Sequence, residues 1–390
     1  MSAFPSAGAV ASGFEPVAQV FNDLLAEAPQ GAALAVYWHG QPVVNVWGGA
    51  RDKAASLAWQ ADTRVNIFSA GKALVAVAVL QLVAQGKLSL DQPIADIWPG
   101  FGAEGKAAIT LRQVLSHRSG VNAFHHKVAD NAIFDGQQVL ALIEQEAPWW
   151  QPDTEQGYSP ILYGWILAEI VRRASGAASF NEYFQRHVAQ PLGLAISFGL
   201  APAEQASLAE VGAMRGAKPE PSVLALGRAM KDEPAGVVNK AFTNPMSLMV
   251  GTNGEAWRSA EIPAANGVSS ARDLALVYSS LVGDERLLAQ AHKALCWQQQ
   301  SRAVDRILQT EMRFSLGFML TQAGADRRLG RGDKAFGHAG AGGCLGFADP
   351  EYGIGFGFVS NQMAQSLLID SRGQRLIDAV YSCLETEAKK

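Results

Sequence analysis

The segment Asn66-Ile67-Phe68-Ser69-Ala70-Gly71-Lys72 and the apolar run behind it constrain this chain most. From Ala73 to Val83 the one polar side chain is Gln81. A helix that is apolar nearly all round is buried inside protein. Ser69 and Lys72 stand three residues apart at its mouth, so on a helix they share a face. Burial favours the neutral amine of a lysine. A neutral amine beside a hydroxyl is a base beside a nucleophile. A second reading stands next to this one: Ser69 caps the helix and Lys72 snorkels to water. The spacing Ser-x-x-Lys occurs nowhere else in the chain.

The 390 residues suggest two or three domains at roughly 150 residues each and allow a large core. Lys and Arg number 32 against 36 Asp and Glu. That balance lacks the basic excess of a nucleic-acid binder, so no such partner is expected. Cys296, Cys344 and Cys383 are far apart and have neither metal-ligand nor redox spacing, so free and buried thiols are expected. The first 13 residues show no basic stretch followed by a long apolar run, unlike a signal peptide. The run Ala73 to Leu80 is too short to span a bilayer. A cytoplasmic protein without a membrane span is the expectation.

Along the chain, residues 1 to 13 read as an arm rich in small residues, and Glu15 to Ala26 as an amphipathic helix. Ala32 to Trp38 and Pro42 to Trp47, separated by His39-Gly40-Gln41, read as a hairpin. Helices are expected over Leu111 to His117, opened by the capping box Thr110/Gln113, over Gln137 to Glu146, and over Ile161 to Ala174, with Pro160 at its start and Gly176 at its end. Residues 201 to 266 have weak periodicity. They read as loops and short helices, either a lid with Met246, Met249 and Trp257 beneath it or a surface excursion. Ser270 and Asp273 cap a further helix. Phe314 to Leu320, Phe336 to Ala348 and Ile354 to Ser360 read as antiparallel strands. A helical segment from Leu367 to Leu384, broken at Gly373, closes the chain.

Strands at both ends and helices between them imply a two-lobed α+β fold. An antiparallel sheet, built from residues 1–72 and 310–390, is flanked by the first and last helices. A mostly helical insertion with long loops spans 73–309, with the active site between the two.

Two further stretches carry chemistry. Tyr158, in Gly157-Tyr158-Ser159-Pro160, precedes a helix whose positive end would favour a phenolate, as would a nearby ammonium. Such a tyrosine can shuttle the Ser69 proton; a packed turn residue is the plain alternative. Gly337-His338-Ala339-Gly340-Ala341-Gly342-Gly343 has glycines where a strand meets another backbone or a ligand, and its N–H groups suit an oxyanion. A bulge with a satisfied histidine is the alternative. Gly-x-Ser-x-Gly is absent. Ser116-His117 is discounted as a catalytic pair, because neighbours on a helix point apart. His125 and His126 are adjacent and lack a third ligand at helical spacing, so no metal and no cofactor are expected.

Taken together, Ser-x-x-Lys, then a Tyr-x-Asn-like element, then a Lys-Thr-Gly-like element resemble the serine β-lactamases and penicillin-binding proteins. Within them the chain is most similar to class C β-lactamase-like proteins and family VIII carboxylesterases. Gly86 to Pro93, Leu115 to Gly120, Pro191 to Leu194 and Gly267 to Leu274 agree. The resemblance implies Ser69 as the acylated nucleophile and Lys72 with Tyr158 as its base system. It aligns His338, Ala339 and Gly340 with Lys-Thr-Gly, and implies the N–H groups of Ser69 and Ala341 as oxyanion donors. Two departures stand out. Pro160 replaces the Asn amide, and His338 replaces a permanent cation. Both weaken recognition of an anionic β-lactam and suit a small-molecule ester substrate, with Trp149, Trp150, Phe124, Phe134 and Trp257 as candidates for an apolar pocket. The rival implications are a β-lactamase or D-amino-acid peptidase, an acyltransferase using the same acyl-enzyme, and a non-catalytic binding member of the fold.

Overall fold

A nine-stranded antiparallel sheet built from both ends of the chain sets the frame. The structure is a computed structural model that describes residues 4–27, 30–212, 219–248, 250–322 and 328–387. The strands are β1 (Ala7–Val10), β2 (Ala32–Trp38), β3 (Gln41–Gly48), β6 (Ser301–Val304), β7 (Glu311–Phe314), β8 (Met319–Leu320), β9 (Phe336–Ala339), β10 (Leu345–Asp349) and β11 (Ile354–Ser360). A separate small pair joins β4 (Val65–Asn66) to β5 (Val268–Ser269). The large sheet runs in the order β1-β3-β2-β11-β10-β9-β8-β7-β6. β2 pairs with β11 along its whole length, so the first and last thirds of the chain meet in mid-sheet.

The two faces of the sheet are covered for different reasons. On one face large apolar side chains from the strands, including Phe347, Phe356 and Phe358, pack with Val17, Phe21 and Leu24 of the helix Glu15–Glu27. Leu376, Ile377, Val380 and Tyr381 of the helix Ser371–Glu387 complete that cluster. On the other face β11 presents Gly355 and Gly357. A Cβ there would lie 2.4 Å from the Ser279 N and 2.3 Å from the Ala271 O, so the helix Ala271–Gly283 rests its backbone directly on the strand. Alternation of large residues and glycines along one strand thus builds two unlike layers.

Several expectations need correction. Residues 7–10 are not an arm: they form β1 and pair with Val44 to Trp47 of β3. The closing helix is unbroken at Gly373, which sits in its first turn with its N–H donating to Asp370 (2.9 Å). The expected lobe boundary between residues 309 and 310 falls inside the β6–β7 hairpin, whose strands must share a sheet. The strands of the sheet therefore resume at Ser301, not at residue 310.

The central residues form a helical layer around the buried helix Gly71–Ala84, which packs against the helix Leu162–Ser175. The Thr110/Gln113 capping box is present, and Gly176 ends its helix in the left-handed conformation. In the 201–266 stretch, Trp257 is core: it is 2% exposed and donates to the Asn66 side chain (3.1 Å). Met246 is exposed, and Met249 lies outside the described residues. Among the described residues no helix is long and apolar enough to cross a membrane.

Replacing a strand glycine by alanine ordinarily stabilises by about 0.5–1 kcal/mol. Gly357→Ala should do the reverse, destabilising by about 1–3 kcal/mol through overpacking against Ala271. Urea unfolding of the two proteins measures the sign.

Candidate active site

Ser69 lies on a tight turn, Phe68–Ala70, that leads from β4 into the buried helix. The Ile67 N–H is held by the Gly267 carbonyl (2.8 Å). The next residue, Phe68, has a φ of 50°, a left-handed value that costs energy for a bulky residue. Its side chain packs against the core, which pins the kink. Ser69 follows, half-buried, one turn before Lys72.

Lys72 is wholly buried. Its Nζ donates to Ser69 Oγ (2.9 Å) and to the Ala264 carbonyl (3.0 Å). Burial drives its pKa well below the usual lysine value, because the ammonium would lose its water. Lys72 therefore does not snorkel, and Ser69 makes no side-chain cap of this helix.

The Tyr158 ring lies 5.0 Å from Lys72 Nζ and is buried. Burial pushes its phenol above the ordinary range; a hydrogen bond with Ser69 pulls the other way, and the Asp305 carboxylate adds to the rise. The expected resting phenolate is thus corrected. The helix behind it begins only at Leu162, and desolvation of the phenol is the largest effect on it.

The glycine strand closes the opposite side. β9 carries His338, and Gly340 follows it. A Cβ on Gly340 would lie 2.2 Å from the Ile67 O, so only glycine lets this strand reach the Ser69 turn. Ala341, next along, is exposed. His338 is 1% exposed, with Nδ1 2.7 Å from the Ala339 carbonyl and a buried, unpartnered Nε2. Burial first, then Lys72, lowers its pKa to about 3, with the Ala339 carbonyl opposing. His338 is a neutral imidazole whose Nδ1–H donates to Ala339.

Ser69, Lys72, Tyr158 and the His338–Ala341 strand are therefore brought to one place. This arrangement puts a hydroxyl beside an uncharged amine, a protonated phenol across from them and a strand end alongside. Over residues 17–379 the sequence matches the family described as Beta-lactamase. The chain belongs to the beta-lactamase family.

Its relatives span more than one activity within that family. The Esterase/beta-lactamase LipL of Mycobacterium tuberculosis is 29% identical over 352 residues, covering 87% of this chain and 79% of LipL. A solved family VIII carboxylesterase superposes with a TM-score of 0.87 at 30% identity, covering 97% of this chain and 99% of the other. A penicillin-binding protein homologue from Caulobacter crescentus gives the same TM-score, 0.87, at 30% identity and the same coverage, 97% and 99%.

Two residues near this beta-lactamase-family site escape a linear reading. His117 is discounted in sequence as a helix neighbour of Ser116, yet the helix stops at Leu115 and His117 has a φ of 59°. Its ring turns inward, 4.9 Å from that of Tyr158. Asp305 sits in the β6–β7 loop, 147 residues from Tyr158, and nothing local marks it. Among the aromatic candidates, Trp149 and Trp150 pack against the cluster containing Tyr158, whereas Phe124 is buried and Phe134 joins the other cluster. Trp149 also stacks flat on His125, at 3.8 Å between ring centroids.

The neutral His338 makes stability depend on pH. Below pH 6.5 the unfolded chain protonates this imidazole, and the folded chain resists doing so down to about pH 3. Stability is thus lost as pH falls through that window, by about 1.4 kcal/mol per unit. His338→Gln should shrink the drop in unfolding free energy between pH 7.5 and pH 5.0 by about 2 kcal/mol, read by urea titration at both pH values.

Proposed function

We propose that this protein is a serine carboxylesterase of short-chain esters that works through an acyl-enzyme on Ser69. The observation that carries this reading is the 2.9 Å contact between Ser69 Oγ and a lysine amine that burial keeps neutral. The Ala264 carbonyl takes one N–H of that amine, and rotation of the other N–H away from Oγ turns the lone pair to the Ser69 proton. Lys72 is the base as Oγ attacks the ester carbonyl. The N–H groups of Ser69 and Ala341 receive the oxyanion; Ser69 stands in a helix-opening turn, where the first N–H groups lack intrahelical partners.

Tyr158 enters as the acid. Its phenol donates a proton to the departing alkoxide as the acyl bond to that oxygen breaks, leaving a phenolate beside the new Lys72 ammonium. In deacylation the phenolate takes a proton from water, and the hydroxide formed attacks the acyl carbon. Lys72 returns its proton to Ser69 Oγ, and both groups regain their resting states. Burial raises the phenol and lowers the amine, so each starts in the form its step requires.

The same site disfavours an anionic lactam. His338 supplies no cation for a substrate carboxylate, and Pro160 supplies no side-chain amide. Esterase EstB of Burkholderia gladioli, 30% identical over 196 residues that cover 45% of this chain and 48% of EstB, supports this choice, as does the family VIII carboxylesterase.

A panel of p-nitrophenyl esters and nitrocefin, run on wild type and Ser69→Ala, tests the proposal. Wild type should hydrolyse p-nitrophenyl butyrate faster than nitrocefin. Ser69→Ala should lose at least about 1000-fold in kcat, as removal of a nucleophile does. Fast nitrocefin turnover with negligible ester cleavage, or an unimpaired Ser69→Ala, overturns it.

A further inference from the structure

The main chain around Tyr158 is gripped at every N–H. Gly157 N–H donates to the His117 carbonyl (2.9 Å), and Ser159 N–H donates to His117 Nδ1 (3.2 Å). Between them Tyr158 N–H donates to both carboxylate oxygens of Asp305 (3.0 and 2.8 Å). The Gly157 carbonyl accepts from the Asn122 side chain. An acceptor shared by one residue's N–H and a distant loop fixes where that residue sits.

Asp305 is fully buried. Its carboxylate is satisfied by N–H groups: Tyr158, Ile307 and Leu308 (both 2.9 Å) and the Gln156 side chain (3.3 Å). Burying an ionised carboxylate is costly unless it is fully hydrogen-bonded. Holding the β6–β7 loop would need only the bonds to Ile307 and Leu308. The remaining acceptor capacity goes to Tyr158 and the residue two before it. The His117 ring, packed between Tyr158, Tyr163 and Phe314, holds the phenol's other side.

We infer that Asp305 is a positioning residue for Tyr158: from behind the site, it fixes the main chain that aims the phenol at the Ser69 leaving group. This rests on the roles proposed above for Ser69 and Tyr158. Asp305 touches no reacting atom and acts through Tyr158 alone, with His117 as the second jaw of the clamp. A displacement of about 1 Å at a reacting group costs on the order of 100-fold in rate, so the clamp matters to turnover more than to binding.

A double-mutant cycle on p-nitrophenyl acetate tests this, since its good leaving group leaves residual turnover when Tyr158 is lost. Asp305→Asn should lower kcat about 10–100-fold, with KM within about twofold and a native circular-dichroism spectrum. In a Tyr158→Phe background the same change should cost less than about threefold, because contacts that act as one unit are non-additive. An undiminished loss in that background, or no loss in the wild type, overturns the inference. If Asp305→Asn does not fold, Asp305→Glu, which keeps the carboxylate but shifts it by one methylene, is read through the same cycle with the same criteria. If Ser69→Ala and Tyr158→Phe both keep wild-type turnover, the function reading itself fails. If both are impaired and the Asp305 variants are not, the positioning role alone fails.

Discussion

The burial of one amine governs this molecule. Lys72 sits in the first turn of a helix with no water to solvate a charge, and its amine meets Ser69 Oγ and the Ala264 carbonyl. A lysine in that place is tolerable only uncharged. The rest of the site shares that condition: their own burial raises the pKa of the phenol across from it and lowers that of the imidazole on the strand. Burial thus acts in the same sense on three groups that are widely separated in the chain.

Much of this was legible in the sequence, and for a definite reason. Ser69 and Lys72 are helical neighbours, so their meeting is a matter of local geometry, and the apolar run behind them announces burial. Both hairpin strands of the first sheet half and the cap at Thr110 are likewise local signals. The glycines around Gly340 read correctly as a place of close approach, although not what they approach.

What stayed hidden depends on distance or on competition between effects. Asp305 meets Tyr158 only because the β6–β7 loop folds under it, and no periodicity encodes that. His117 was hidden by a rule that applies within helices, two residues beyond the end of this one. A phenolate at Tyr158 follows from a helix end and an ammonium only if water still reaches the oxygen; burial removes that water and outweighs both. β1 escaped because four small residues have no amphipathic pattern, yet an open sheet edge is enough to recruit them.

The pairing of β2 with β11 carries a consequence for biogenesis. The two strands lie far apart in the chain, and the part of the sheet that bears His338 lies on the far side of that seam. Contacts of such sequence separation form slowly, and domains assemble as the chain emerges from the ribosome. The helix behind Ser69 can collapse early, but the strand it faces, β9, is made only after the whole helical layer. A nascent chain thus carries Ser69 and Lys72 without an assembled site until β9 to β11 have been made and have docked.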